Sequence, residues 1–440
     1  MTRSYKEAVA YLSSREKFGI KFGLSNINQL AEALGRPERR YRSILIAGTN
    51  GKGSTAALLS SVLRAAGFRA GRYTSPHIRH LTERIQVDGE PISVDAMAAV
   101  VSRVAEVSLR MARTGQVGEP TFFEAVTACA FAYFAEQSVD MAVLEVGMGG
   151  RWDATNIVPA DISVITPIGF DHEKFLGDTL GAIAAEKAAI IKEERPVVVS
   201  KLDGEALEVV REEARRKHAE LVIAHEGVQI SARATETGQR VSLKTAKMDY
   251  GELEFPLLGE HQLDNLVLAV RVAEIAHPGL EARHVREGVA RTTWPGRLER
   301  ISGSPPLLLD AAHNVMAAEQ LGRFLSAHPS ENRVLLFGVM KDKRVHEMLS
   351  HLLPHVSHFV ATRPEMSRAR GPVPLAEWAQ EQGTPSESVL SSPLALARAR
   401  EIAGPTGEIV VAGSIFLLGE IVEALEGAAN APHITVQTPA

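Results

Sequence analysis

Residues 47–55 read Ala-Gly-Thr-Asn-Gly-Lys-Gly-Ser-Thr and directly follow the run Ser-Ile-Leu-Ile at 43–46. Glycines at three of these positions let the backbone turn tightly and direct its N–H groups toward phosphate oxygens. Lys52 supplies a cation for the terminal phosphates, and the hydroxyls of Ser54 and Thr55 can hold Mg²⁺ or the phosphates themselves. Residues 56–66 are typical of a helix, whose N-terminus adds a positive dipole end. The stretch therefore predicts a strand, a phosphate-binding loop and a helix.

The loop differs from the common phosphate-loop pattern in two respects. That pattern places Ser or Thr directly after the lysine, and it has a further glycine five residues before the second one. Here Gly53 follows Lys52, and Ile46 stands at the position of the first glycine. Both a variant phosphate loop and a plain glycine-rich turn fit this spacing. Gly51 and Gly53, combined with a lysine and paired hydroxyls, favour the phosphate loop.

The composition is that of an ordinary globular protein. The 440 residues suffice for two or three domains, with 45 % hydrophobic and 23 % charged residues. The formal net charge of −5 gives no indication of a nucleic-acid partner. Cys129 is the single cysteine, so no disulfide forms within the chain and a reducing cytoplasm is the expected location. The polar residues 1–11 do not resemble a signal peptide, and no apolar run reaches the roughly 18 residues of a membrane span.

Short apolar runs alternate with helix-like stretches along most of the chain. In the first part, this alternation predicts a parallel sheet with helices on both faces; the runs are 44–46, 141–146, 162–165 and 196–199. Four further runs predict a small antiparallel sheet: 221–223, 228–230, 241–243 and 253–257. The alternation then restarts with 307–309, 334–337, 359–360 and 409–411.

The stretch Trp294-Pro295-Gly296 is the predicted domain boundary, because Pro and Gly interrupt both helices and strands. We therefore expect an ATP-binding α/β domain at 1–295, which includes the small antiparallel sheet. A smaller, Rossmann-like α/β domain is expected at 296–440.

Polar side chains follow several predicted strands, at the sheet edge where open parallel sheets bind ligands. Glu145 interrupts an apolar strand, which is unfavourable unless the carboxylate is paired, and its oxygens suit Mg²⁺. His172 follows the next strand and can be either a metal ligand or a structural histidine. Ser75 can reach a metal, or it can cap a helix. Asp310 ends a strand of the second domain and is followed by His313.

Lys187 lies among small apolar residues of a predicted helix. Such a lysine either extends its amine to solvent or is buried with a lowered pKa. A neutral buried amine can be carboxylated by CO₂ to a metal-binding carbamate, although the spacing does not show this.

Two other helix starts offer ligand contacts. Thr121 and Glu124 have the spacing of a capping box, while Phe122 and Phe123 can line a planar ligand. Asn265 can hydrogen-bond an adenine edge.

Taken together, these motifs resemble the Mur ligase superfamily and, within it, the folylpolyglutamate synthase/dihydrofolate synthase family. No single motif is specific, but their order along nearly the whole chain is. The matching segments are 48–54, 74–77, 123–124, 145–156, 171–172, 186–188, 261–265, 296–299, Asp310 and 313–314. The glycine after Lys52 is also what this family carries.

The resemblance implies an ATP-dependent acid–amino-acid ligase of folate biosynthesis and one-carbon metabolism. It implies that an acyl phosphate forms from ATP and a pteroate or folate carboxylate, and that L-glutamate then attacks it. Dihydropteroate or a reduced folate is the implied acceptor, the enzyme is expected to be bifunctional, and the family is mostly monomeric. The implied cofactors are ATP and two Mg²⁺ ions, with Lys187 carbamoylated.

The resemblance also assigns roles to individual residues. The implied metal ligands are Ser75, Glu145, His172 and Lys187. The implied ATP contacts are Gly51, Lys52, Gly53, Ser54, Thr55, Asn265, Arg297 and Asp310. The implied catalytic residues are Lys52, Glu145, His172, Lys187 and His313. The implied substrate contacts are Thr121, Phe122, Phe123, Glu124, Trp152, Asp153, Ala154, Ser414 and Phe416.

One departure from the family and two alternatives remain. Ala311 stands where the family usually has glycine after the strand-end Asp310, so a positive φ would be strained there.

A cell-wall Mur-type amino-acid ligase is the alternative enzyme; such enzymes carry an additional domain before the loop, for which 47 residues are too few. A non-catalytic nucleotide-binding protein is the other alternative, and it predicts that catalytic residues have been lost.

Overall fold

The strand before the glycine loop, β1 (Arg42–Ala47), is buried on both faces. Ile44 and Ile46 belong to one hydrophobic cluster, whereas Leu45 and Ala47 belong to another. Successive side chains of a strand point to opposite faces, so this alternation places apolar layers on both sides of the sheet. A strand of this kind is typical of a parallel sheet covered by helices.

The computed structural model describes residues 3–19, 21–113, 119–202 and 204–429, which divide into two units, Met1–Trp294 and Pro295–Ala440. The further strands of the first unit are β2 (Ala70–Tyr73), β3 (Ile85–Val87), β4 (Glu90–Pro91), β5 (Met141–Glu145), β6 (Ile162–Ile165), β7 (Val197–Val199), β8 (Leu221–Ile223), β9 (Gln229–Ala234), β10 (Gln239–Lys244) and β11 (Asp249–Phe255). Its helices are α1 (Tyr5–Ser13), α2 (Ser25–Ala33), α3 (Lys52–Ala65), α4 (Val94–Arg113), α5 (Phe122–Glu136), α6 (Glu173–Leu176), α7 (Leu180–Ala188), α8 (Gly204–Arg216), α9 (Glu260–Ala276) and α10 (Ala282–Ala290).

Eight strands of this unit form one sheet in the order β4-β3-β2-β5-β1-β6-β7-β8. The pairs from β2 to β8 are parallel, and β3 and β4 extend the edge in antiparallel fashion. The predicted parallel sheet is thus confirmed. One prediction is wrong: 221–223 is not part of the small antiparallel sheet but is β8, paired in parallel with β7. Its apolar side chains pack into the cluster under α8, and this packing rather than local sequence determines its partner.

Helices cover both faces of this sheet, as predicted. The helices α1, α2, α4 and α5 pack on the sheet face that carries the side chains of Leu45 and Ala47. The opposite face is covered by α3, α9 and α10 together with the antiparallel sheet β11-β10-β9. Strands β3 and β4 are not among the predicted strands, and they are only three and two residues long.

The second unit has a six-stranded sheet in the order β12-β13-β17-β14-β15-β16. Its strands are β12 (Glu299–Ile301), β13 (Leu307–Leu309), β14 (Arg333–Phe337), β15 (His358–Ala361), β16 (Ser386–Ser388) and β17 (Glu408–Ala412). Only the β12–β13 pair of this sheet is antiparallel. Its helices are α11 (Val315–Ala327), α12 (Val345–Leu352), α13 (Val373–Glu381), α14 (Ser392–Ala403) and α15 (Ile415–Ala429). Among all helices in the described ranges, none combines the length and apolar character that crossing a bilayer requires.

Candidate active site

The loop between β1 and α3 has the backbone geometry that its glycines predicted. Gly48 and Gly51 adopt φ values of 150° and 84°. A Cβ at Gly48 would collide with the side chain of Thr166, and one at Gly51 would collide with the amide oxygen of Asn265. Gly51 is the N-cap of α3, so the helix begins at Lys52, earlier than the predicted 56–66. Lys52, Gly53, Ser54 and Thr55 therefore form the first turn of the helix. The N–H of Thr55 donates to the carbonyl of Gly51 at 2.9 Å, and the three N–H groups before it have no acceptor one turn earlier in the helix.

Two lysine amines meet at the carbonyl oxygen of Gly48. Lys52 Nζ donates to it at 3.2 Å and to the carbonyl of Thr49 at 3.0 Å. Lys187 Nζ donates to the same Gly48 oxygen at 2.9 Å. The sequence left open whether Lys187 reaches solvent, and its 3 % exposure shows that it is buried.

Burial strongly perturbs Lys187. The pKa of the amine is lowered to about 7, mainly by burial and to a smaller extent by the positive charge of Lys52, with Asp171 opposing both effects. Desolvation disfavours the charged form of a lysine, so a sizeable fraction of this amine is neutral near pH 7. A neutral amine is nucleophilic, which the charged form is not.

Glu145 lies at the carboxyl end of β5, directly beside the phosphate loop. Its strand pairs with β1 in parallel, with Ile46 opposite Glu145. The carboxylate is 5 % exposed and accepts a hydrogen bond from the backbone N–H of Ser75 at 3.1 Å. The peptide bond between Ser75 and Pro76 is cis. A buried carboxylate and a serine hydroxyl are thus brought to one edge of the loop, and both are oxygen donors that suit Mg²⁺.

Gly53 shows why this loop has no hydroxyl residue after the lysine. A Cβ there would collide with the indole ring of Trp294 and would lie 3.3 Å from a carboxylate oxygen of Glu145. In the sequence, Trp294 marks only a domain boundary, and no local signal indicates this contact.

His172 follows β6 and adopts a positive φ of 52° at the start of α6. Its backbone N–H donates to Asp171 at 2.8 Å, and its ring Nε2 lies 4.0 Å from the same carboxylate. Within the described residues, no group of three or more His, Cys, Asp or Glu side chains is arranged to hold a metal. The predicted set contains only two such residues, Glu145 and His172, beside a serine and a lysine.

Asn265 of α9 lies against the start of α3. Its amide nitrogen donates to Gln262 at 2.9 Å, and its oxygen is 3.5 Å from the hydroxyl of Thr55. The side chain is 4 % exposed. These contacts fix the side chain beside the first turn of α3.

The segments predicted to contact a substrate also make hydrogen bonds that stabilise the local fold. Thr121 and Glu124 form the capping box that the spacing predicted, with reciprocal bonds of 3.2 and 2.8 Å. Asp153 accepts from the N–H groups of Met148 and Thr155, and burial raises the pKa of its carboxyl group. Ala154 is buried directly after it.

The three aromatic side chains of these segments lie in different surroundings. Phe122 lies under the guanidinium of Arg84, with 5.2 Å to the ring centre. Phe123 packs on Tyr73 with 6.1 Å between ring centres. Trp152 is exposed.

In the second unit, the structure brings Arg297, Asp310 and His313 to one end of β13. Asp310 accepts from the N–H groups of Leu298 and Ala312, both at 2.9 Å. Burial raises the pKa of its carboxyl group, and Arg297 opposes this. His313 Nδ1 lies 2.8 Å from the carbonyl oxygen of Ala311.

The alanine that departs from the family pattern is accommodated without strain. Ala311 does not adopt a positive φ, whereas Leu298 does, with φ of 47°. The N–H of Ala311 donates to Gly296 at 2.9 Å. Elsewhere in this unit, Ser414 accepts from the N–H of Phe416 at 3.2 Å, and the ring of Phe416 lies under Arg368.

Comparisons with known proteins agree with this arrangement. The Mur ligase middle domain matches residues 46–273, and the Mur ligase glutamate ligase domain matches 296–415. A dihydrofolate synthase/folylpolyglutamate synthase of Bacillus subtilis is 40 % identical over 372 residues, which cover 82 % of this chain and 86 % of that protein. The chain belongs to the Mur ligase family and, within it, to the dihydrofolate synthase/folylpolyglutamate synthases.

Solved structures of this family share its fold. Folylpolyglutamate synthase of Mycobacterium tuberculosis, complexed with ADP and AMPPCP, matches with a TM-score of 0.89 and 34 % identity over 98 % of this chain and 99 % of that one. Escherichia coli FolC, in complex with DHPP and ADP, matches with a TM-score of 0.84 and 30 % identity over 96 % of this chain and 98 % of that one.

Proposed function

We propose that this protein ligates L-glutamate to the carboxylate of a pteroate or folate, with ATP converted to ADP and phosphate. The carboxylate oxygen attacks the γ-phosphorus, and the bond to the β-phosphate oxygen breaks. The glutamate amine then attacks the acyl carbon, phosphate leaves, and an amide forms. The observation that carries the proposal is the arrangement of a phosphate-binding helix start with Lys52, Lys187 and Glu145 directly beside it.

Phosphoryl transfer depends mainly on positioning and on neutralising charge. Lys52 and the N–H groups at the start of α3 would hold the β- and γ-phosphates. Ser75, Glu145 and His172 would hold Mg²⁺, which when bound neutralises the phosphate charge. The oxygen donors of this set suit a hard cation, although histidine is its less usual ligand.

Carbamoylation of Lys187 is part of this proposal. The lowered pKa supports it, because the neutral amine adds to CO₂, loses a proton and leaves an anionic carbamate. Such an anion beside Lys52 would be paired with a cation, and it would provide oxygen ligands for a second Mg²⁺. Incubation with ¹³C-labelled bicarbonate is expected to give a protein carbamate resonance that Lys187→Met abolishes. A resonance that persists unchanged in the variant would contradict the assignment.

The remaining assignments are proposals of the same kind. Residues 1–295 would form the ATP-binding Mur ligase domain, and 296–440 the glutamate ligase domain. Asn265, Arg297 and Asp310 would contact ATP, and His313 would serve catalysis in the second unit. The pterin side of the acceptor would meet residues 121–124 and 152–154, and Ser414 and Phe416 would contact the pteroate. We expect a cytoplasmic monomer with both synthase activities.

The test measures ADP release with ATP, glutamate and one acceptor at a time. Dihydropteroate and tetrahydrofolate should both support ADP release, and the ratio of their rates measures how the two activities are divided. Lys52→Ala should abolish release, whereas Lys244→Ala, which removes an exposed lysine of β10, should not.

Three outcomes would contradict the proposal in different ways. If neither pterin supports ADP release, the protein is not a folate ligase. Release with a nucleotide-linked muramyl acceptor alone would support the cell-wall alternative. Equal inactivity of the wild type and Lys52→Ala with every acceptor would favour a non-catalytic nucleotide-binding protein.

A further inference from the structure

Trp294, the last residue of the first unit, lies against the phosphate loop. Its indole ring occupies the space that a Cβ at Gly53 would need, and its Cε2 atom would be 3.1 Å from that Cβ. The ring is half-buried and packs against the hydrophobic cluster that contains β1 and α3. Gly53 follows Lys52 in the first turn of α3, so the ring contacts the backbone that presents its N–H groups to phosphate.

A buried cation lies over this ring. The guanidinium carbon of Arg72 lies 5.1 Å from the centre of the Trp294 ring. Arg72 lies on β2, next to β5, and donates to the side-chain oxygen of Gln86. A guanidinium over an indole face is the favourable geometry for a cation–π contact, which is stronger when water is excluded. Arg72 Nε and Trp294 Nε1 are both buried and have no hydrogen-bond partner, so no other polar contact fixes the two groups to each other.

Arg72 also acts on the carboxylate beside the loop. The pKa of Arg72 is lowered to about 10, mainly by burial, and the negative charge of Glu145 opposes this shift. The guanidinium therefore stays charged at neutral pH and is attracted to Glu145. Arg72 and Trp294 thus connect a strand that carries no predicted site residue to the phosphate loop at Gly53, beside Glu145.

We propose that Trp294, held by Arg72, is a positioning residue that sets the distance between the first turn of α3 and Glu145. This rests on the proposed function only in that the loop binds a nucleotide. The ring excludes a Cβ at Gly53, and in return the missing Cβ lets the loop backbone approach both the ring and the carboxylate. The glycine after Lys52 is then explained by close packing and not by a need for unusual φ, since Gly53 lies in α3 without a positive φ.

The expected effect follows from the number of contacts that depend on the loop position. Several N–H groups must face the phosphates at once, and misplacement by about 1 Å can lower activity by about 10²-fold. Gly53→Ala should therefore weaken ADP binding by about 10²-fold, because the new methyl group displaces the first turn. Trp294→Leu leaves the loop in place but less restrained, so we expect a loss of about tenfold.

The decisive test combines the two substitutions. Leucine does not extend to the position of the outer indole ring, so Gly53→Ala should be tolerated in the Trp294→Leu background. The double variant should bind ADP about as tightly as Trp294→Leu alone, which is about tenfold better than Gly53→Ala. Binding is measured by calorimetry on the full chain, with the thermal midpoint as a check on folding. Losses that simply multiply in the double variant would overturn the proposal.

Variants of Arg72 give a second test, in which ADP affinity is measured with the indole ring of Trp294 intact. Arg72→Lys keeps a cation over the ring and should bind ADP within about threefold of the wild type, whereas Arg72→Met should lose about as much as Trp294→Leu. Equal affinity of Arg72→Met and the wild type would show that the cation does not hold the ring. Trp378→Leu, which removes a tryptophan of the second unit, should leave ADP affinity unchanged.

Trp294 should also report nucleotide binding directly. In a Trp378→Phe background, ADP should change tryptophan fluorescence, and Trp294→Phe should abolish most of this change while the exposed Trp152 remains. An unaltered fluorescence change in Trp294→Phe would contradict the contact between ring and loop. If ADP binds but glutamate is not ligated to any pterin acceptor, the proposed function is wrong and the positioning role is not affected. If ligation proceeds but the double variant does not recover ADP affinity, the positioning role is wrong and the proposed function is not affected.

Discussion

Removing the buried amine of Lys187 should change how the stability of the protein depends on pH. The pKa of this amine is about 7 in the folded chain, against 10.5 for an ordinary lysine, because it is buried and lies near Lys52. Between these two values the unfolded chain binds more protons at this site than the folded chain, so stability rises with pH. The slope approaches ~1.4 kcal/mol per pH unit, which amounts to about 2 kcal/mol between pH 7 and pH 9.

The variant Lys187→Met keeps the length of the side chain and removes the titration. Its free energy of unfolding should lack this contribution, so the difference between wild type and variant should shift by about 2 kcal/mol in favour of the wild type from pH 7 to pH 9. Guanidinium unfolding in CO₂-free buffer measures this with the amine unmodified. Because the chain has two units, unfolding is followed in a Trp378→Phe background, in which Trp152 and Trp294 of the first unit report.

The exposed Lys244 provides the matched control. Lys244→Met should change the free energy of unfolding by the same amount at both pH values. The amine of Lys244 is exposed to solvent in the folded chain, much as it is in the unfolded chain. Parallel pH profiles for the wild type and Lys187→Met would refute the reasoning. They would mean that the amine is charged in the folded chain with a compensating partner, or that it is not buried in solution.

Substitutions at three other positions have defined outcomes. Gly48→Ala should weaken ADP binding by at least about tenfold in calorimetry, because its methyl group would collide with Thr166. Thr121→Ala should lower the free energy of unfolding by about 1 kcal/mol in denaturant titrations, because α5 loses its cap. Asp310→Ala should cost about 2–4 kcal/mol of stability, because two N–H groups lose their acceptor; Asp310→Asn, which keeps one carbonyl oxygen, should cost less.

Each of these expectations has a result that would contradict it. Unchanged ADP affinity in Gly48→Ala would mean that the loop relaxes without loss. A stability change in Thr121→Ala near zero would mean that the cap contributes nothing measurable. Equal losses in the two Asp310 variants would show that the charge, and not the two accepted hydrogen bonds, matters at this position.

Local patterns in the sequence predicted elements whose cause is local. The apolar run before the glycine loop became β1, and the Thr121–Glu124 spacing became a capping box, because periodicity and caps act within a few residues. The run 221–223 was misassigned, since its pairing with β7 depends on which surface covers it and not on its own residues. Partner choice of this kind is a property of packing.

The glycine loop, the strand-end Glu145 and the order of the motifs were enough to determine the family, because each glycine and each carboxylate reflects a local chemical requirement. Whether Lys187 reaches solvent, and why a glycine follows Lys52, depended on neighbours far away in the chain. The carbonyl of Gly48 lies 139 positions from Lys187, and Trp294 comes from the far end of the unit. Burial and close approach arise only when such segments pack together, so the tertiary structure alone decided the protonation of that amine and the reason for Gly53.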